Sequence, residues 1–235
     1  MKNLTFTICL TLVVLLGSTG TSWGADHNKG LAAYNRDDFA TALREWRPLA
    51  EQGNADAQFG LGVMYYNGYG VLKDDKTAVK WYTLAAEQGD AYAQTNLGMM
   101  YTNGEGVPQD YKTAAKWYTL AAKQGGVRAQ TNLGVMYDEG QGVIQDYKTA
   151  VKWYTLAAEQ GDFRAQFNLG LMYAKGAGVI KDKVYAHMWW NIAASNGHED
   201  GGKLRDSVAK SMTPADISAA QTLARECIRK EYKGC

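Results

Sequence analysis

The sequence contains little proline, cysteine or histidine, with three residues of each among 235. So few prolines exclude a collagen-like chain and a proline-rich disordered one. Three histidines, without an H-E-x-x-H or C-x-x-C motif, predict no metal site, and no catalytic constellation accompanies them. The sequence also calls for no cofactor, because no phosphate-binding loop or dinucleotide fingerprint is present.

An excess of charge of either sign is also absent. Lysine and arginine number 25 against 24 aspartates and glutamates, which gives a formal net charge of +1. A neutral chain has no basic footprint for nucleic acid and no polybasic segment for anionic lipid. We therefore predict no nucleic-acid partner.

Glycine, in contrast, is abundant, with 26 residues, or about 11% against roughly 7% in average proteins. Sixteen of these 26 occupy four positions that recur every 36 residues, namely 62, 68, 70 and 89 and their copies. Hydrophobic residues make up 46% of the chain, which argues against disorder. The glycines are therefore predicted to mark turns and close contacts in a regular array.

The chain contains an internal repeat of 36 residues. Residues 90–125 and 126–161 are identical at 26 of 36 positions, and the tryptophans keep the same interval at Trp81, Trp117, Trp153 and Trp189. The units are 54–89, 90–125, 126–161 and 162–197, between an entry segment (25–53) and an exit segment (198–235). A period of this length is typical of solenoid proteins.

Each unit is predicted to form two helices. In the first, Ala57, Leu61 and Tyr65 recur at four-residue spacing and so share one face. The second is predicted to start after Asp74 or its copies, to bury a stripe that includes Trp81, and to stop at Gly89 or its copies. A single such hairpin cannot bury both faces, whereas stacked copies can. We therefore predict an all-α solenoid.

The pattern A-x-A-Q-x-x-L-G-x-x-Y-x-x-G-x-G-V, followed by D-x-x-x-A-x-x-W-Y-x-x-A-A-x-Q-G, resembles the Sel1-like repeat, a relative of the tetratricopeptide repeat. The resemblance covers all four units. It implies a right-handed α–α superhelix that binds another protein or a peptide through its concave face, and we expect it to act as a monomer. A hairpin in 30–53 and a helix after Thr213 and Pro214 are predicted to cap the array.

Residues 1–24 have the pattern of a secretory signal peptide, with Lys2, an apolar run from Leu4 to Leu16, and Gly24 at the expected cleavage site. A retained membrane anchor is the alternative. Cleavage predicts a secreted or periplasmic protein of a bacterium, Gram-negative by the habit of the family, with no stable membrane insertion. Cys227 and Cys235 then remain, and in an oxidising compartment they are predicted to form a disulfide. Two free thiols, or pairing between molecules, are the other possibilities.

The face of each first helix opposite its core face is the predicted binding surface. Apolar pockets there would hold side chains of a peptide, amides would bond its backbone, and arginines would pair with a carboxylate. The alternative is that these apolar residues pack against adjacent helices. The candidate residues are Asp56, Phe59, Val63, Tyr92, Thr95, Asn96, Met99, Arg128, Thr131, Asn132, Val135, Arg164, Phe167, Asn168 and Leu171.

One motif suggests a different function. Ser207 and Lys210 match S-x-x-K, the acylation motif of serine β-lactamases and penicillin-binding proteins. Some secreted, cysteine-rich Sel1-like proteins have been associated with β-lactams, but the units here contain no cysteine and the companion motifs are missing. A β-lactam-binding or hydrolysing protein is therefore the alternative, and a non-enzymatic scaffold is the prediction.

Overall fold

The computed structural model describes residues 25–235, so the predicted signal peptide (1–24) lies outside the described residues. The regular structure in this range is helical, as predicted. Within it, no helix has both the length and the hydrophobicity that a membrane span requires. The helices are α1 (His27–Tyr34), α2 (Phe39–Glu51), α3 (Ala55–Asn67), α4 (Asp75–Glu87), α5 (Ala91–Asn103), α6 (Tyr111–Lys123), α7 (Val127–Glu139), α8 (Tyr147–Ala158), α9 (Phe163–Lys175), α10 (Lys183–Ser195), α11 (Gly201–Ala209) and α12 (Pro214–Arg229).

Helices α3 to α10 form the four predicted hairpins, one in each repeat. The first helix of each hairpin ends at a left-handed glycine, of which Gly68 (φ 76°) is the first. The second begins at an aspartate, as at Asp74, whose carboxylate accepts hydrogen bonds from the backbone N–H groups of Lys76 and Thr77. It stops before a glycine in the left-handed region, such as Gly89 (φ 99°), where other residues are strained. The start and stop positions predicted from the sequence are confirmed.

The hydrophobic core lies mainly between the second helix of one unit and the first helix of the next. Buried alanines and Tyr82 of α4, for example, form one cluster with Leu97 and Met100 of α5. The same arrangement joins α6 to α7 and α8 to α9. Each hairpin thus shares its core with its neighbours, which is why one copy alone would leave an apolar face in water.

In the first three units, the tyrosine that follows the repeated tryptophan is the deeper of the two side chains. Tyr82 is 1% exposed, whereas Trp81 is half-buried and packs against the core of the preceding hairpin. The predicted stripe is buried at its alanines, such as Ala78 and Ala85, and Tyr82 rather than Trp81 is its deepest aromatic residue. Helical periodicity allows a side chain at either position to reach the core face, so the sequence alone does not decide between Trp81 and Tyr82.

The entry segment is a further hairpin, in which Gly30 precedes Trp46 by 16 residues whereas Gly170 precedes Trp190 by 20. The indole N–H of Trp46 donates to the carbonyl of His27 (3.2 Å), as that of Trp190 donates to Phe167 (3.2 Å) in the last repeat. A Cβ on Gly30 would contact Trp46 as one on Gly170 would contact Trp190. Helix α1 is therefore equivalent to the first helix of a repeat.

A ladder of buried amides joins the hairpins at one end. The side-chain amide of Gln94 donates to the carbonyl of Ala86 in the preceding helix (3.0 Å) and accepts from Gln124 in the following helix (2.9 Å). Gln124 also donates to the carbonyl of Gly89 (3.0 Å). The corresponding contacts recur at Gln58, Gln130 and Gln166. The repeated glutamine thus ties three consecutive helices together.

Helices α11 and α12 both pack against α10, and the chain after α12 folds back onto the array. The hydroxyl of Tyr232 donates to the Asn196 side chain (3.0 Å), which ends the amide ladder. Cys227 and Cys235 are joined by a disulfide, as the sequence predicts, with Cα atoms 5.5 Å apart. Thr213 caps α12 and Pro214 opens it, as predicted.

Removing the disulfide is expected to destabilise the C-terminal cap. Closing a loop of this size in the unfolded chain is worth about 2.5 kcal/mol in the chain-entropy model. Replacing both Cys227 and Cys235 with serine should therefore lower the melting temperature by roughly 5 °C, as measured by circular dichroism. A reducing agent should have the same effect on the wild-type protein and none on the double variant. Equal melting temperatures for all samples would contradict a stabilising role.

Candidate binding groove

The predicted binding residues lie on the first helices of the repeats, and most are at least partly accessible. Asp56, Tyr92 and Arg128 are exposed, and the apolar residues Val63 and Met99 are half-buried. We call this surface the groove face. It consists of fifteen residues: Asp56, Phe59, Val63, Tyr92, Thr95, Asn96, Met99, Arg128, Thr131, Asn132, Val135, Arg164, Phe167, Asn168 and Leu171.

Two arginines flank a cavity of about 240 Å³ on the groove face. Its lining includes Met99 and Val135 together with Asn132, and Arg128 and Arg164 line the same cavity. Arg164 also pairs with the Asp162 carboxylate at 3.2 Å. Apolar lining beside two cations suits a ligand that carries both an apolar group and a carboxylate.

One tyrosine that the sequence did not predict on this surface, Tyr118, lies beside the groove face. A Cβ on Gly98 would lie 2.7 Å from the Tyr118 ring, so the missing side chain lets this ring lie flat against α5. The Tyr118 side chain also lines the cavity beside Asn132. Burial raises the pKa of Tyr118, although hydrogen bonds with Thr102 and Asn132 oppose the rise. The hydroxyl therefore stays protonated at neutral pH and can donate.

Two of the predicted residues are less available than expected. Thr131 is 2% exposed, and its hydroxyl donates to the Val127 carbonyl of its own helix (3.2 Å), so its assignment to the exposed surface is wrong. Phe167 is half-buried, and the His198 ring stacks on it with centroids 3.9 Å apart. The groove face is thus partly covered at its C-terminal end.

A second cavity, of about 590 Å³, lies at the N-terminal end of the groove face. Four predicted residues line it, namely Asp56, Phe59, Val63 and Tyr92. The remaining lining comes from residues that were not predicted: His27, Leu31, Tyr34, Asn35, Trp46, Gly60 and Asp90. The shorter turn of the first hairpin moves α1 out of the 36-residue spacing, which conceals its equivalence in the sequence.

The two cavities carry opposite charge. Asp56 and Asp90 line the N-terminal cavity, and neither forms an ion pair among residues 25–235. Burial, and to a smaller extent the charge of Asp56, raises the pKa of Asp90. The two carboxylates line one cavity, where like charges repel each other. The groove face runs from an acidic, aromatic end to a basic middle section.

The S-x-x-K motif lies away from both cavities. Ser207 and Lys210 are exposed at the C-terminal end of α11. In the described part of the chain, no hydrogen bond joins the two side chains, and no cluster of three or more histidine, cysteine or carboxylate groups could hold a metal ion. The surroundings of Ser207 thus supply no visible activating group.

Comparisons with known proteins agree on one kind of repeat. The sequence model of the Sel1 repeat matches residues 55–90, 91–126, 127–162 and 163–198. A Sel1 repeat protein from Oxalobacter formigenes is 36% identical, with a TM-score of 0.72 over 77% of this chain and 74% of that one. The protective antigen c5321 of uropathogenic Escherichia coli, which has an SLR fold, is 37% identical, with a TM-score of 0.76. That match covers 83% of this chain but only 43% of the antigen. No curated protein gives a significant match.

Proposed function

Because the chain belongs to the Sel1 repeat family, we propose that it is an exported scaffold that binds a protein or peptide along its groove face. Members of this family are scaffolds for interactions between proteins, and the partner is expected to be a protein. An extended peptide fits a surface of repeated apolar sites separated by amides. No chemical reaction is required of the site.

The observation that carries this proposal is the clustering of the predicted residues around cavities. Nine of the fifteen residues of the groove face line the two cavities, although they come from four helices in successive repeats. Arg128 and Arg164 lie one repeat apart and yet share a cavity. A carboxylate placed there would lie beside both arginines, and charge-assisted hydrogen bonds to guanidinium groups are roughly twice as strong as neutral ones.

The disulfide supports the proposed location. The bond between Cys227 and Cys235 is of a kind that persists in oxidising compartments and is rare in the cytosol. Together with the signal-peptide pattern of residues 1–24, it favours a periplasmic or secreted protein. Fractionation of cells that express the full chain, with a blot for the mature and precursor forms, tests this location.

Reversing the charge of both arginines is expected to abolish partner binding. In the variant Arg128→Glu with Arg164→Glu, two carboxylates would face the carboxylate of the ligand, so the affinity should fall at least about 100-fold, which equals roughly 2.7 kcal/mol. The measurement is affinity capture from envelope extracts with wild-type and variant bait, followed by mass spectrometry and by titration of each captured partner.

A matched control distinguishes this loss from a general charge effect. Arg225 and Arg229 are exposed on α12, away from both cavities. Their double change to glutamate alters the net charge by the same amount and should leave binding intact. Circular dichroism should show that all three proteins are folded. If every captured partner stays bound to the Arg128→Glu and Arg164→Glu variant, the groove face is not the binding surface.

A further inference from the structure

The N-terminal cavity has the composition of a site for a cation attached to an apolar group. Its aromatic lining includes two ring pairs, Tyr34 with Trp46 (centroids 5.5 Å apart) and Phe59 with Tyr92 (5.9 Å). Tyr92 is 74% exposed, so its ring stands in solvent at the edge of the cavity. A volume of about 590 Å³ lies within the range of pockets that bind small ligands and side chains.

One of the positions at which the first repeat departs from the others lies at this cavity. Gly60 stands where the following units have Asn96, Asn132 and Asn168. A Cβ on Gly60 would lie 2.7 Å from the indole ring of Trp46, so no larger residue fits there. The amide of the other repeats is thus replaced by an aromatic wall. This end of the groove face is therefore specialised and differs in chemistry from the repeats that follow.

Two carboxylates without a cationic partner complete the site. Asp90 caps α5 by accepting a hydrogen bond from the N–H of Ala93 (2.6 Å), which fixes its position. Asp56 lies in the first turn of α3, and neither carboxylate is paired with lysine or arginine in residues 25–235. A ligand cation would remove the repulsion between them and could also lie over an aromatic face.

His27 adds an unfilled polar position to the same wall. Its Nδ1 atom is buried and has no hydrogen-bond partner among the described residues. Most buried polar atoms in folded proteins have a partner, so an orphaned one beside a cavity indicates room for a ligand group. The aromatic rings, the carboxylates and this nitrogen together suit a ligand that has one polar, cationic group surrounded by apolar groups.

We propose that this cavity binds an arginine or lysine side chain, flanked by apolar residues, of the peptide that lies along the groove face. This inference rests on the proposed function and adds the chemistry of the peptide. The cationic residue enters between α1, α3 and α5, and an acidic residue or the C-terminal carboxylate meets Arg128 and Arg164. The opposite charges of the two cavities thereby fix the direction in which the peptide binds.

The test compares two peptides that differ only in charge. One is N-acetylated, C-amidated Ala-Leu-Arg-Leu-Ala, and the other carries citrulline, the neutral analogue of arginine. Binding to the mature protein is followed by NMR titration of the indole N–H resonance of Trp46, which lines the cavity. The arginine peptide should bind about tenfold more tightly or better, since one charge-assisted contact is worth at least about 1.4 kcal/mol.

Variants of the two carboxylates locate the effect. Asp56→Asn with Asp90→Asn should abolish the preference for arginine, and because asparagine is also a good helix cap, α5 should stay folded. Asp110→Asn with Asp146→Asn changes two exposed capping carboxylates outside the cavity and should keep the preference. Equal affinity for the two peptides, binding of neither, or a preference that survives in the Asp56 and Asp90 variant would overturn the proposal. Partner capture that still depends on Arg128 and Arg164 would then leave the proposed function standing.

Discussion

Replacing Gly98 with leucine is expected to cost at least about 3 kcal/mol of the free energy of unfolding. A Cβ at this position would lie 2.7 Å from Cδ1 and Cε1 of the Tyr118 ring, which is closer than real side chains approach. Tyr118 is itself 2% exposed in the core between α6 and α7, so its ring has little space to move away. Leucine adds three further carbon atoms, and α5 and α6 must separate to admit them. Urea denaturation followed by circular dichroism measures the loss.

A glycine in an open position supplies the matched control. The Cβ of a residue at position 202 in α11 would meet only the end of the Arg205 side chain, 3.9 Å away. The change Gly202→Leu should therefore alter stability by no more than about 0.5 kcal/mol. A double variant adds a second check, because Tyr118→Ala removes the ring that leucine would strike. Gly98→Leu with Tyr118→Ala should be more stable than the sum of the single effects predicts. Equal stability of Gly98→Leu and wild type would show that the helices are not in close contact there.

The sequence predicted the repeat, the helical hairpins and their ends because each depends on local chemistry. A left-handed glycine such as Gly89 and a capping aspartate such as Asp74 act within one turn of a helix, so their meaning is visible in a single stretch of sequence. The pattern recurs every 36 residues, so four copies support a helix assignment that one copy alone would support only weakly. Cys227 and Cys235 are likewise close enough in sequence for their pairing to be predicted.

Features that depend on two helices were harder to predict. Periodicity places Trp81 and Tyr82 equally well on a core face, and only the packing of Tyr82 against Gly62 of α3 decides between them. An ideal helical wheel places Thr131 on the exposed face, but its hydroxyl donates to a carbonyl within α7 and the residue is buried. The acidic cavity went unnoticed because α1 is out of step with the repeats by four residues. Arg128 and Arg164 were predicted as binding residues, since both belong to regular units, but the cavity that they share was not.

The buried amide ladder gives the second large effect, at Gln130. This side chain is 4% exposed, donates to the carbonyl of Ala122 (3.1 Å) and accepts from the side chain of Gln160 (2.8 Å). Gln130→Leu keeps the approximate volume and removes both hydrogen bonds, while the Ala122 carbonyl still accepts from the Gly125 N–H (3.0 Å) and Gln160 still donates to the Gly125 carbonyl (3.2 Å). Each lost hydrogen bond costs about 0.5–1.5 kcal/mol, so we expect a loss of about 1–3 kcal/mol in urea denaturation.

The same substitution at an exposed glutamine separates this effect from helix propensity. Gln145 donates to the Asp138 carbonyl (2.7 Å), but it is exposed, so water can replace its amide. Gln145→Leu should therefore change stability by no more than about 0.5 kcal/mol. If Gln130→Leu were equally harmless, the amide ladder would contribute packing alone.

Gln130→Glu makes the contribution of the ladder depend on pH. A carboxylate at this buried site would lie beside the Ala122 carbonyl, which cannot donate, so burial should raise the folded-state pKa of the new group above its unfolded value of about 4.3. Such a group binds its proton more tightly in the folded protein, and the destabilisation is therefore smallest below the unfolded pKa and grows as pH rises through the folded pKa. The protonated acid can donate to Ala122 as the amide does. The difference in unfolding free energy between wild type and Gln130→Glu should thus be smaller at pH 4 than at pH 7, whereas Gln130→Leu should differ from wild type by the same amount at both. A difference for Gln130→Glu that does not change with pH would mean that the side chain leaves the ladder and reaches solvent.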